Sequence, residues 1–110
     1  MEKDRRTAPR VRVKLSARWE GVLSHDSATV TDLSRNGCFV LTGGKVKQKE
    51  LIWVEIDLPT PPPIHFWAEV VEIADEIGFA VRFNSGAEED KERLARFIES
   101  VFQSAPRKPA

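Results

Sequence analysis

The sequence predicts a mostly β architecture: a six-stranded antiparallel β-barrel, split-barrel-like, with a C-terminal amphipathic α-helix. Three observations carry this expectation. Short runs alternate apolar and polar residues, and the connections between them are too short for parallel crossovers. Clusters of Gly, Pro, Asp and Ser punctuate those runs. After residue 85 the apolar period changes from that of a strand to that of a helix.

Taken in order, residues 1–10 are polar and charged with Pro9 near their end, so they form a basic, flexible N-terminal arm. From Val11 to Trp19 the chain alternates strictly, with Val11, Val13, Leu15, Ala17 and Trp19 on one face and Arg12, Lys14, Ser16 and Arg18 on the other, giving a half-buried strand. Ala28–Thr31 makes a short second strand after the turn-rich Ser24–Ser27, and Cys38–Leu41 a third after the turn Asp32–Gly37. Leu51–Leu58 places Ile52, Val54, Ile56 and Leu58 on one face, and the prolines from Pro59 to Pro63 end it because proline cannot donate to a ladder. Ile64–Ile73 is apolar on both faces in places, as a more buried strand would be, and Asp75-Glu76 turns it into Gly78–Phe83. Ser85 and Glu88 read as the capping box of a helix to residue 103, whose stripe of Leu94, Phe97, Ile98, Val101 and Phe102 packs on the strands. Residues 11–103 therefore form the barrel and helix, and residues 104–110, with two prolines, a disordered tail.

At 110 residues there is room for one domain, and the formal net charge of zero argues against wholesale binding to nucleic acid or to an anionic membrane. The charge is unevenly spread. Residues 1–18 hold Lys3, Arg5, Arg6, Arg10, Arg12, Lys14 and Arg18 against Glu2 and Asp4, a local surplus of five. A basic field on a neutral protein points to a small anionic partner. Cys38 is the only cysteine, which excludes an intramolecular disulfide and suits a reducing compartment. With no apolar leader and no run near the roughly 18 apolar residues of a membrane span, the expected location is cytoplasmic.

Two segments carry the functional chemistry. The first, Arg5-Arg6-Thr7-Ala8-Pro9-Arg10, gathers guanidinium groups that make forked hydrogen bonds to phosphate and to the O6/N7 edge of guanine. The second, Asp32-Leu33-Ser34-Arg35-Asn36-Gly37, offers a carboxylate for the N–H donors of a guanine, a hydroxyl, and a glycine that lets backbone approach a ligand. Alone, each is ordinary: a solvated basic arm, and a turn in which Asn-Gly supplies positive φ. Together they suit a small anionic guanine nucleotide.

In their order, Arg6-x-x-x-Arg10 before an alternating strand, Asp32-x-Ser34-x-x-Gly37 one strand later, then a proline-rich hairpin, Ala68–Val71, Gly78–Phe83 and an amphipathic helix, these features resemble the PilZ domain family, bacterial receptors for cyclic di-GMP. The resemblance spans roughly residues 5–102, with both motifs intact. It implies that Arg6 and Arg10 clasp the phosphates and guanine edges of the ligand, that Asp32 reads a guanine, and that Ser34 and Gly37 build the turn. It further implies that Arg5, just before the first motif arginine, accompanies an intercalated pair of ligand molecules. The ligand set expected is thus Arg5, Arg6, Arg10, Asp32, Ser34 and Gly37, in a ligand-switched receptor with a downstream protein partner and no resident cofactor.

Other residues suggest less. His25 and His65 are isolated, so neither metal ligation nor catalysis is expected of them. Cys38 belongs in the core. Trp19, Trp53 and Trp67 suit core or rim positions, Trp53 being the one set opposite the Ile52/Val54/Ile56 face. No nucleophile–base pair and no phosphate-cradling glycine loop is present, so an enzyme is not expected. Two alternatives remain: a PilZ-like interaction module that does not bind the nucleotide, and a small barrel for single-stranded nucleic acid, against which the zero net charge and lack of tyrosine weigh.

Overall fold

The computed structural model describes residues 9–104. The strands are β1 (Val11–Glu20), β2 (His25–Leu33), β3 (Gly37–Leu41), β4 (Leu51–Ile56), β5 (Ile64–Ala74) and β6 (Gly78–Ser85), followed by α1 (Glu88–Ser104). All pairings are antiparallel, and the order β1-β2-β3-β6-β5-β4 closes on itself as a barrel.

Alternation sets which residues enter the barrel. In β4, Ile52, Val54 and Ile56 are fully buried, and Val30, Val40, Phe66, Val70 and Phe79 meet them from the other strands. Trp19 enters from β1, where its ring meets Phe79 edge-on at 5.3 Å and its indole N–H donates to Thr42 Oγ1 at 3.1 Å. The indole's polar edge is thereby satisfied inside an apolar shell. Helix α1 buries Leu94 and Ile98 and packs against β5 and β1.

The expected barrel and helix are both present, with differences at the element ends. β2 begins at His25 and runs through Leu33, so the segment expected to turn before it is strand, and Asp32 lies in the ladder opposite Arg12. The capping box expected at Ser85 does not form. Ser85 is still in β6, paired with Trp67, and the first helical bond runs from Lys91 N–H to the carbonyl of Ala87, which makes Ala87 the N-cap. A ladder partner outweighs a local side-chain cap here. The chain crosses from β6 to α1 at Gly86, where a Cβ would sit 2.5 Å from the ring of Phe66. Helix α1 extends to Ser104, one residue beyond its expected end. Trp67 departs from a core or rim position more than the other tryptophans, being 44% exposed.

Candidate functional site

The turn between β2 and β3 is built by its own side chains. Ser34 is the one buried polar residue among the described residues. Its hydroxyl accepts the N–H of Asn36 at 3.1 Å, and its backbone N–H donates to the carbonyl of Gly37 at 2.9 Å. The carbonyl of Asn36 in turn accepts the N–H of Phe83 at 2.7 Å, which ties the turn to β6. Ser34 thus spends its polar capacity on backbone it would otherwise leave unsatisfied.

Gly37 has a different reason to be glycine from the one its sequence suggests. Neither it nor Asn36 has positive φ. Gly37 pairs with Arg82 across the β3–β6 ladder, and a Cβ at this position would lie 2.1 Å from the carbonyl oxygen of Val81. The missing side chain lets two strands approach, and so brings β6 up against the turn.

Beside that approach lies an open groove of about 690 Å³ on the outer surface of the barrel. Asp32, Ser34 and Gly37 line one side together with Arg10, where the chain enters β1. Phe39 and Ala80, paired on β3 and β6, give an apolar floor, and Val71, Glu72 and Arg82 form the far side. Its volume lies within the roughly 300–1,000 Å³ of clefts that hold small ligands. Four of the six expected site residues, Arg10, Asp32, Ser34 and Gly37, therefore meet at one groove. Arg5 and Arg6 lie outside the described residues.

The polar groups in the groove are differently committed. Arg82 is 65% exposed and donates to Glu69 at 2.9 Å. Arg10 is exposed and engages no carboxylate among the described residues, and the carboxylate of Asp32 accepts no hydrogen bond from them. An acceptor and a guanidinium that the described residues leave unengaged at one groove can serve a ligand that carries N–H donors and negative charge. Cys38 borders the groove but is buried, which pushes its thiol up to about 12 and keeps it neutral, a packing group and not a nucleophile. No group of His, Cys, Asp and Glu able to hold a metal ion occurs among the described residues.

Phe39, Val71, Glu72, Ala80 and Arg82 are absent from the expected ligand set. A partial signal existed for Arg82: it is the single charge in an otherwise apolar strand, Gly78–Phe83, so it had to face outward. That it faces this groove depends on β6 pairing with β3, a contact distant in sequence.

The fold and groove define a small closed β-barrel with a polar surface site at the β2–β3 turn. The chain matches the PilZ domain family model over residues 4–100 and belongs to that family. No curated protein matches it in sequence. Among solved structures it is similar to the Bacillus subtilis inhibitor of motility MotI/DgrA (TM-score 0.77, 16% identity, 90% of this chain and 52% of that one). It is also similar to Escherichia coli YcgR in complex with c-di-GMP (TM-score 0.76, 19% identity, 92% and 47%). The isolated PilZ domain of YcgR with c-di-GMP aligns at TM-score 0.71 and 19% identity over 92% of this chain and 94% of that one. The chain spans about half the length of MotI/DgrA and of full YcgR. At these identities the likeness is one of fold. No helix among the described residues is long and apolar enough to cross a membrane.

Proposed function

We propose that this chain is a receptor for cyclic di-GMP, holding the nucleotide in the groove between the basic arm and the β2–β3 turn. The observation that carries this reading is the meeting of Arg10, Asp32, Ser34 and Gly37, four positions of the two motifs, at one groove of a PilZ-family barrel. The YcgR PilZ domain, solved with c-di-GMP, has the same fold. Arg6 and Arg10 clasp phosphates and guanine edges, since a guanidinium stays charged at any relevant pH and presents a planar fork. Asp32 accepts from guanine N–H donors, and Ser34 and Gly37 hold the turn rigid beneath it. Closing the arm over the ligand changes the surface that a downstream protein meets, so the chain acts as a switched adaptor and carries out no chemistry of its own.

A calorimetric titration with cyclic di-GMP at near-physiological salt tests this. Charge-assisted hydrogen bonds contribute roughly 1.5–3 kcal/mol each. Several of them, less the cost of ordering the arm, give an expected binding free energy of about −8 kcal/mol or beyond, a micromolar Kd. Arg6→Ala, Arg10→Ala and Asp32→Ala should each lose roughly 2–5 kcal/mol. The expected stoichiometry is two nucleotides per chain, falling to one in Arg5→Leu. Absence of both heat and chemical-shift change at high ligand concentration would remove the proposal, and normal binding by Arg10→Ala would remove the role given to that residue.

A further inference from the structure

The outer face of β1, β4 and β5 carries a row of side chains that the barrel does not require. Ile52, Val54 and Ile56 fill the core, while Trp53 between them faces out. Trp53 stands opposite Glu20 on β1 and opposite Trp67 on β5. Its ring stacks on His65, with centroids 5.4 Å apart and planes 18° apart, and meets Trp67 edge-on at 5.1 Å. Trp67 stays 44% exposed, and Leu51 on the same face 46%. A cross-strand aromatic pair stabilises a sheet by roughly 0.2–1 kcal/mol. Smaller β-branched residues would supply much of that and leave less apolar surface in water. Contiguous exposed apolar surface edged by polar groups is characteristic of contact sites.

On the β1 side of Trp53 opens a hollow of about 470 Å³, bordered by Glu20, Asp26 and Glu55 as well as Arg18. Arg18 is already committed, at 3.1 Å from Glu55 and 2.8 Å from Asp57. Across the face, Glu69 is committed to Arg82 at 2.9 Å. Glu20 and Asp26 have no cationic partner among the described residues, although Asp26 accepts hydrogen bonds from Ser27 N–H and from the Thr42 hydroxyl. The hollow therefore combines an indole with two carboxylates that form no ion pair among the described residues.

We propose that this face docks a partner protein through a basic, partly apolar segment. An arginine or lysine of that segment sits in the hollow beside Trp53, answered by Glu20 and Asp26, and its apolar neighbours cover Trp67 and Leu51. Indole and cation attract through the ring quadrupole, and tryptophan and arginine are the residues that dominate protein contacts. Charge complementarity selects this occupant over the others. A nucleic acid or acidic segment would meet Glu20, Asp26, Glu55 and Glu69, and a second copy docking face to face would set these carboxylates against themselves.

The test uses the full chain labelled with ¹⁵N, without nucleotide, so that it stands apart from the cyclic di-GMP reading. The indole signals of Trp53 and Trp67 report on the face, and the amide of buried Cys38 on β3, across the barrel from β4, is an internal reference. The probe is a short capped peptide in which arginine alternates with serine and leucine, and the control replaces arginine with glutamate. The expected result is a saturable, salt-sensitive shift of the Trp53 and Trp67 signals with the Cys38 amide unmoved and no response to the control. Glu20→Lys and Trp67→Thr should each weaken binding roughly tenfold while keeping a dispersed spectrum. If Trp67→Thr does not fold, Glu20→Lys decides. The proposal is overturned by silence at Trp53 and Trp67, by an equal response to the glutamate peptide, or by unchanged affinity in Glu20→Lys. Shifts of Trp53 and Trp67 that track protein concentration without peptide also overturn it, assigning the face to self-association.

Discussion

Gly37 separates what a motif residue does for the fold from what it does for a ligand. Alanine there would place Cβ 2.1 Å from the Val81 carbonyl oxygen, a contact relieved only by moving β3 away from β6. Forcing extra volume into a packed site costs roughly 1–3 kcal/mol, and here the obstacle is backbone with no rotamer to yield. Gly37→Ala should therefore lower the unfolding free energy by that amount, read as a lower urea midpoint at unchanged m-value, with no nucleotide present. Were the glycine needed only for approach to a ligand, the variant would keep the parent's stability and lose binding alone. Ser34 sits on the same side of this division. Its hydroxyl serves the Asn36 N–H, whereas Asp32, two residues earlier, leaves its carboxylate unengaged by the described residues. The motif thus mixes turn-building positions with a position available to a ligand.

At the scale of elements, apolar packing of Leu94 and Ile98 holds the helix on the barrel, and a carboxylate in the first turn of α1 adds a hydrogen bond to β5. Asp90 accepts the backbone N–H of His65 at 3.0 Å, so the start of β5, paired with β4 on one side, is capped by the helix where β6 no longer reaches it. Asp90→Ala would leave that N–H unpaired in a partly buried setting, a loss of roughly 1–3 kcal/mol. The expected outcome is a lower urea midpoint together with faster hydrogen exchange at the His65 amide, while amides in the centre of β3 keep their protection relative to global unfolding. Uniform acceleration in step with global stability would place Asp90 outside any local tie between α1 and β5.

The same residue shows what the sequence could reveal. Strands β1 and β4 were legible because each has one wet and one dry face, and Ile52, Val54 and Ile56 repeat with the period of the pleat. Glu88, Glu89 and Asp90 were legible as the acidic start of a helix. The target of Asp90 was not, because His65 is 25 residues away and no local rule pairs them. Ser85 failed as a cap for a related reason: its ladder partner Trp67 is a long-range contact, and it extended β6 through the position where local chemistry favoured a helix start. The site divides in the same way. Its near side, Asp32 to Gly37, is a contiguous motif. Its far side, Val71, Glu72, Ala80 and Arg82, exists only once β3 pairs with β6 and β6 with β5.

For the whole molecule, a net charge of zero conceals a division of labour. Basic groups gather in the first 18 residues, whereas the face of Trp53 and Trp67 is edged by Glu20, Glu55 and Glu69. A nucleotide that binds only the folded chain must stabilise all of it by mass action, the first bound molecule alone by about 2.7 kcal/mol when free ligand reaches about 100 times Kd. For a chain of 110 residues that corresponds to a rise in Tm of roughly 10 °C. Scanning calorimetry with cyclic di-GMP should show this rise, and GMP at equal concentration should not, since one phosphate and one guanine cannot engage both the arm and the turn. Arg10→Ala supplies the decisive comparison. Because Arg10 engages no carboxylate among the described residues, its loss should leave the unliganded Tm close to that of the parent and abolish the rise. A rise of equal size in that variant, or with GMP, would trace the gain to non-specific anion binding by the basic arm instead of a site shared between arm and turn.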